Sequence, residues 1–169
     1  MELSVKLIVL IAGIVLTGLT AGLCFTWSNA VTPGIGRLDD LGYLQAFQQM
    51  NRAIINPTFV VVFFGPVILH IANVILFRNA PRELLILLIA AAVLYIGGLF
   101  LVTIFGNVPL NVILDKTDLV SASIEELSEL RERFEARWNN LHLLRTISTT
   151  LSFIMLVVSL AFSSKMITI

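Results

Sequence analysis

Acidic residues are missing where a membrane transporter would need them. The four longest apolar runs, 7–27, 57–77, 84–105 and 143–162, contain no aspartate or glutamate. A small proton-coupled or multidrug transporter normally carries its proton on an intramembrane carboxylate, so a transport or permeability component is the weakest reading of this chain. Cysteine occurs once, at Cys24 inside the first run. That excludes an internal disulfide and any paired-cysteine metal motif, and leaves Cys24 as a small packing residue. Histidine occurs twice, at His70 and His142, with no carboxylate in either run, so no metal site is expected. A bis-histidine haem needs both rings at one depth on facing helices. His70 lies roughly 20 Å along its helix from Pro57, at 1.5 Å per residue, and His142 stands where its own run begins. Antiparallel spans then place the two near opposite membrane faces, and His70 reads as a packed histidine. Basic tails and Gly-rich phosphate loops are also missing, and eleven basic residues balance eleven acidic ones. No nucleic acid partner and no cofactor are therefore expected.

What is present is apolar surface: 57% of residues are hydrophobic and 13% charged, with mean hydropathy +0.95. A hydrocarbon core about 30 Å thick takes roughly 20 residues of helix. Helices satisfy every backbone group internally, whereas a membrane barrel would show short alternating segments. The expected fold class is all-α: an integral membrane four-helix bundle forming a single domain over 1–169, with spans near 4–28, 57–78, 83–106 and 141–163. The first run ends on Phe25-Thr26-Trp27 rather than a small-residue cleavage site, so it reads as a retained helix. Its Gly18 and Gly22 form a small-xxx-small pair suited to close helix approach. Gly13, Thr17, Thr20, Cys24 and Trp27 make a second stripe expected to turn inward.

Between spans 1 and 2, turn residues Pro33, Gly34 and Gly36 precede Leu38, Leu41, Leu44, Phe47, Met50 and Ile54 at helical spacing. This predicts an amphipathic helix over 38–55, with Asp39 or Asp40 near its start and Gln45, Gln48, Gln49, Arg52 and Asn56 on its polar face. Such a helix lies flat at the membrane interface; a lid over the bundle is the alternative. Pro66 should kink span 2. Ser123-Ile124-Glu125-Glu126 reads as a capping box opening one helix to about Ser163, ~60 Å long, whose start at 123–140 projects from the bilayer. The stripe Ile124, Leu127, Leu130, Phe134, Trp138 and Leu141 on that helix suits a partner membrane subunit or a homo-oligomer. Lys6, Lys165 and the arginines at 78 and 82 favour cytoplasmic termini, in a bacterial cytoplasmic membrane.

The polar groups converge at one end. Trp138, His142 and Arg145 are spaced four and three apart and share a helix face. Asn107 and Asn111 end span 3 at that level, Trp27 ends span 1 and Asn56 begins span 2. Arg145, inside a span without acids, either faces a cavity or partner or snorkels to the interface. His142 is either a general base titrating near neutrality or a hydrogen-bonded interfacial histidine.

These residues resemble the anthrone oxygenase-like family of small four-helix membrane proteins, over nearly the whole chain. The resemblance rests on Gly18–Gly22 through Trp27 and Asn29, then Met50-Asn51-Arg52 and Asn56-Pro57. It continues with Gly106-Asn107-Val108-Pro109-Leu110-Asn111 and with Trp138 through His142 to Arg145-Thr146. The Asn-x-Pro-x-Asn turn with the Trp…Arg-Thr helix is its most specific part. It implies oxidation of an anthrone CH₂ to a quinone carbonyl with O₂, without metal or flavin. By this resemblance His142 is the base, and Arg145, Asn107 and Asn111 stabilise the anionic oxygen. Trp27 and Trp138 pack on the flat substrate, and Asn56 and Arg52 complete the substrate-binding set. The implied surroundings are the lipid bilayer and a lipophilic small molecule. The alternative is a non-catalytic membrane protein binding a lipid, quinone or partner subunit in the same polar mouth. A closed pocket lined by Trp27, Trp138 and Arg145 favours an enzyme or ligand binder; an exposed stripe over 123–140 favours a scaffold.

Overall fold

The Ser4 hydroxyl accepts the Leu7 N–H at 3.3 Å and so caps helix α1, Val5–Ile35. The computed structural model describes residues 4–167, with side chains as far as Ser163. Helix α2 runs over Asp40–Ile54, α3 over Pro57–Leu76, α4 over Arg82–Lys116 and α5 over Ile124–Ile167. No strand occurs among the described residues. Four of the five helices, all but α2, are long and apolar enough to cross a membrane, which makes this a multi-pass membrane protein. Each of the four packs on two others: α1 and α4 both lie between α3 and α5.

Helix α3 runs through Pro66 without a break. Proline removes the N–H that would satisfy the carbonyl four residues earlier, and in lipid such a carbonyl must find another donor. The neighbouring α1 supplies one: Thr20 Oγ1 reaches the Val62 carbonyl at 2.8 Å. The Tyr95 hydroxyl of α4 adds a bond to the adjacent Phe63 carbonyl at 2.9 Å. The inward stripe on α1 therefore does more than pack: Gly13, Thr17, Thr20 and Cys24 are all buried, and Thr20 and Thr17 bond across to other helices. His70 sits in the same polar belt, its Nε2 3.3 Å from Thr17 Oγ1 and 3.4 Å from Ser152 Oγ.

The glycines divide unevenly. A Cβ added to Gly18 would meet the Phe153 ring at 2.8 Å, whereas nothing lies within 4 Å of one at Gly22. Only half of the expected small-residue pair is thus at a helix contact. The closest approach is instead Gly98 on α4, where a Cβ would overlap the Ser148 side chain of α5. Gly98→Val is expected to lower stability by about 1–3 kcal/mol through overpacking, read as a fall in thermal midpoint in detergent. Gly97→Val, with nothing within 4 Å, should leave the midpoint unchanged; equal effects would contradict this account.

Helix α2, the amphipathic helix between the first two spans, packs as a cover on the ends of α4 and α5. Its Tyr43, Leu44 and Phe47 are fully buried against Leu114, Leu119, Leu127, Phe134 and Trp138. Gln48, assigned to the polar face, is buried too; its amide donates to the Leu114 carbonyl at 2.6 Å and the Thr117 carbonyl at 3.0 Å. The Leu114 carbonyl is in the last turn of α4, where it also accepts the Thr117 N–H at 3.2 Å, and Thr117 is the residue that follows the helix, so the glutamine caps a neighbour. Arg131 of α5 ties down the start of α2. It bonds Glu135 at 2.7 Å, Asp40 at 3.0 Å and the Gly36 and Leu38 carbonyls at 2.9 Å, and lies over the Tyr43 ring at 4.5 Å. Burial pushes the Tyr43 phenol above its ordinary range, with Glu135 adding to the rise and Arg131 opposing it, so a neutral ring faces the guanidinium. The apolar stripe at 124–141 is accordingly used within the chain: Leu127, Phe134 and Trp138 are buried, while Ile124 remains exposed.

Candidate functional site

The cover closes one end of a cavity of about 380 Å³, within the range of roughly 300–1,000 Å³ common for small-molecule sites. Every one of the five helices contributes to its wall. From α1 come Thr20, Cys24 and Trp27; from α5, Trp138, His142 and Arg145. Local backbone shape sets these positions. Helix α1 widens into π-helical turns at Trp27–Val31, and α4 does so at Leu94–Leu101 and again at Thr103–Asn107. Such i→i+5 turns shift the register of every residue beyond them.

Trp138 is the fixed point of the site. Its Nε1–H donates to Asn111 Oδ1 at 2.8 Å, and its carbonyl accepts from Asn107 Nδ2 at 3.3 Å. Phe47 meets the indole edge-on at 4.8 Å and Trp27 lies 5.7 Å away. The His142 ring stacks on it at 4.8 Å with 17° between planes. His142 Nε2 lies 3.1 Å from the Cys24 carbonyl. A carbonyl only accepts, so Nε2 carries the proton and Nδ1 keeps its lone pair; Nδ1 has no hydrogen-bond partner. Thr146, one turn on, bonds the His142 carbonyl at 2.9 Å and lies 3.0 Å from Ser28 Oγ, which locks this side of α5 to α1.

Arg145 is the electrostatic anomaly. Its guanidinium lies 5.9 Å over the Trp138 ring and beside the Cys24 thiol. Among the described residues it pairs with no carboxylate, and its Nε is buried without a hydrogen-bond partner. Asp115 also lines the cavity, but it is bonded to Arg52 at 2.6 Å on the exposed rim. The interior thus holds one uncompensated cation in aromatic and aliphatic walls.

Six of the eight residues singled out from the sequence line this cavity: Trp27, Arg52, Asn111, Trp138, His142 and Arg145. Asn107 and Asn56 do not. Asn107 is buried behind Trp138 and holds its backbone. Asn56 caps α3, accepting the Phe59 N–H at 2.9 Å; an asparagine directly before a proline at the first helical position is that signal. Cys24, Thr20, Asn51, Phe59, Phe63 and Thr103 also line the cavity and were not among those eight. Thr20 and Cys24 were legible as an inward stripe, whereas the α4 residues depend on the π-helical turns.

Fold and site together define a multi-pass helical membrane protein with a covered, largely apolar pocket that holds one arginine, Arg145, without a carboxylate partner among the described residues. The family profile described as anthrone oxygenase matches residues 52–155, and the chain belongs to that family. No curated protein and no solved structure matches it.

Proposed function

We propose that the protein oxidises an anthrone-type lipophilic phenol with O₂, converting its central CH₂ to a quinone carbonyl and releasing water. The observation that carries this reading is the guanidinium of Arg145, without a carboxylate partner among the described residues, one turn from the His142 ring in a largely apolar, aromatic-lined pocket. The family membership supports it.

In this reading His142 Nδ1 takes the first CH₂ proton after a turn of the ring brings this atom, buried in the structure, to the cavity. The resulting enolate places its negative oxygen towards Arg145, with Asn111 as a further polar neighbour, where a fixed cation in low dielectric is worth most. The electron-rich carbon passes two electrons to O₂ in successive steps, forming a C–O bond and a peroxide anion that takes the proton back from His142. His142 then removes the second C–H proton as the O–O bond breaks. The expelled hydroxide takes that proton and leaves as water, so one oxygen atom enters the product and the other becomes water. Trp27 and Trp138 flank the planar substrate, Arg52 borders it at the rim, and Asn107 and Asn56 act through helix geometry.

The test is O₂ uptake by the full chain in lipid nanodiscs given emodin anthrone. One O₂ should be consumed per substrate without release of H₂O₂, above the spontaneous rate, and His142→Ala should lower kcat by about 10²-fold or more. Full activity in His142→Ala would remove the base assignment. Uptake equal to the spontaneous rate across several anthrones would favour the second reading, a binder of a lipid or quinone in the same pocket. A scaffold role has less support, because the apolar stripe it would use is covered by α2.

A further inference from the structure

Helices α3 and α4 touch along residues 82–101 of α4, where Phe63 and Phe64 meet Phe100 with ring centroids 5.7 and 5.5 Å apart. Beyond the π-helical turns they part. Phe64 and Val60 of α3, with Val108 and Val112 of α4, line the cavity and yet are 42, 46, 39 and 44% exposed. A side chain that lines an interior cavity and is also exposed on the outer surface marks an opening. The surface around it is apolar on two helices long and apolar enough to cross a membrane, which suits an opening onto hydrocarbon. The other approach, under the end of α2, is spanned by the Arg52–Asp115 ion pair.

We propose that the cavity is loaded sideways from the bilayer through the cleft between α3 and α4, and that its occupant is a membrane-dissolved flat phenol. The wall supplies the chemistry of that choice: aromatic and aliphatic groups at the cleft, then one unpaired cation, Arg145, deeper in. An uncharged hydrocarbon would leave that cation unsatisfied. A freely water-soluble anion would not partition to the cleft. A phenol does both, entering neutral and presenting an acidic oxygen to the guanidinium. This inference rests on the pocket of the proposed function but not on its oxidation step.

The chain carries its own reporters, because its only two tryptophans, Trp27 and Trp138, both line the cavity. In vesicles of phosphatidylcholine with brominated acyl chains, their fluorescence should be quenched, and Val60→Phe with Val108→Phe should relieve that quenching. Strong quenching by aqueous acrylamide with none by brominated lipid would overturn the cleft. In stopped flow, emodin carried in the vesicles should quench the tryptophans at least tenfold more slowly in the same double variant. The widened Val60→Ala, Val108→Ala variant should speed it. Loading unchanged by either cleft variant but accelerated by Asp115→Asn would overturn the proposal in favour of the aqueous rim. Displacement of emodin by phosphatidylglycerol at a few mole per cent would overturn the assigned occupant in favour of an anionic lipid. Cleft-dependent loading without O₂ uptake would remove the oxidation step alone; O₂ uptake indifferent to the cleft would remove the cleft alone.

Discussion

Replacing Arg145 with methionine is expected to raise the stability of this protein and to lower the proposed anthrone oxidation by about 10²–10³-fold. An ion taken out of water costs several kcal/mol unless a partner repays it, and Arg145 has only an indole face and a thiol nearby. A methionine of similar length keeps the packing and removes the unpaid charge, which should add about 1–3 kcal/mol of stability. The same change removes the cation that would hold the developing oxyanion. Loss of one such group costs on the order of 10²–10³ in kcat. Arg145→Lys should keep part of the activity, since it retains a charge but not the planar fork. Thermal unfolding in detergent and anthrone-dependent O₂ uptake read the two effects separately. A methionine variant that unfolds at a lower temperature would mean that Arg145 holds the bundle together rather than waiting for a ligand.

The second large effect is expected at Arg131, which bonds four separate groups around the start of α2 and stacks on Tyr43. Arg131→Ala leaves two carbonyls and two carboxylates without their donor; the groups are partly exposed, so the cost, discounted for solvent screening, is about 1–2 kcal/mol. The cost falls on the cover and not on the four spans. Trypsin cleavage at Arg37 should accelerate about tenfold, following the population of the opened state, while the spans stay protected. Arg133 provides the contrast. Its bond to Glu129 at 3.1 Å joins two groups that are 80% and 68% exposed, and such pairs contribute close to nothing. Arg133→Ala should therefore leave the cleavage rate unchanged. Equal acceleration in the two variants would show that general loss of charge, not the tether, controls the cover.

Much of this architecture is legible in the residues because lipid imposes simple rules. Long runs free of acids mark the spans. The capping box is realised in full, with Ser123 N–H on Glu126 at 2.8 Å and Glu126 N–H on Ser123 Oγ at 3.2 Å. The spacing of Trp138, His142 and Arg145 brings all three to one cavity, because an unbroken helix preserves its face. The errors arise where a residue's type and its surroundings part company. Gln48 reads as surface because it is polar, yet it is buried as the cap of another helix. Asn107 and Asn111 share a face as their spacing requires, but only Asn111 reaches the cavity, since the π-helical turns before them set which way that face points. Nothing short of the bonding pattern reveals those turns, apart from the glycines at 97, 98 and 106. The separation of the histidines was overstated: their partners Thr17 and Cys24 on α1 are seven residues apart, about 10 Å at the helical rise.

The hydroxyls that serve the backbone around Pro66 carry a consequence for how the chain is made. A span emerging alone into lipid would expose the Val62 carbonyl to hydrocarbon, because Pro66 has no N–H to answer it. The donor that does, Thr20 of α1, has been synthesised by then. Helix α3 is thus complete as a membrane segment only once α1 has docked. Biogenesis of the protein is a matter of paired insertion, in which the proline delays commitment of α3 until α1 is in place.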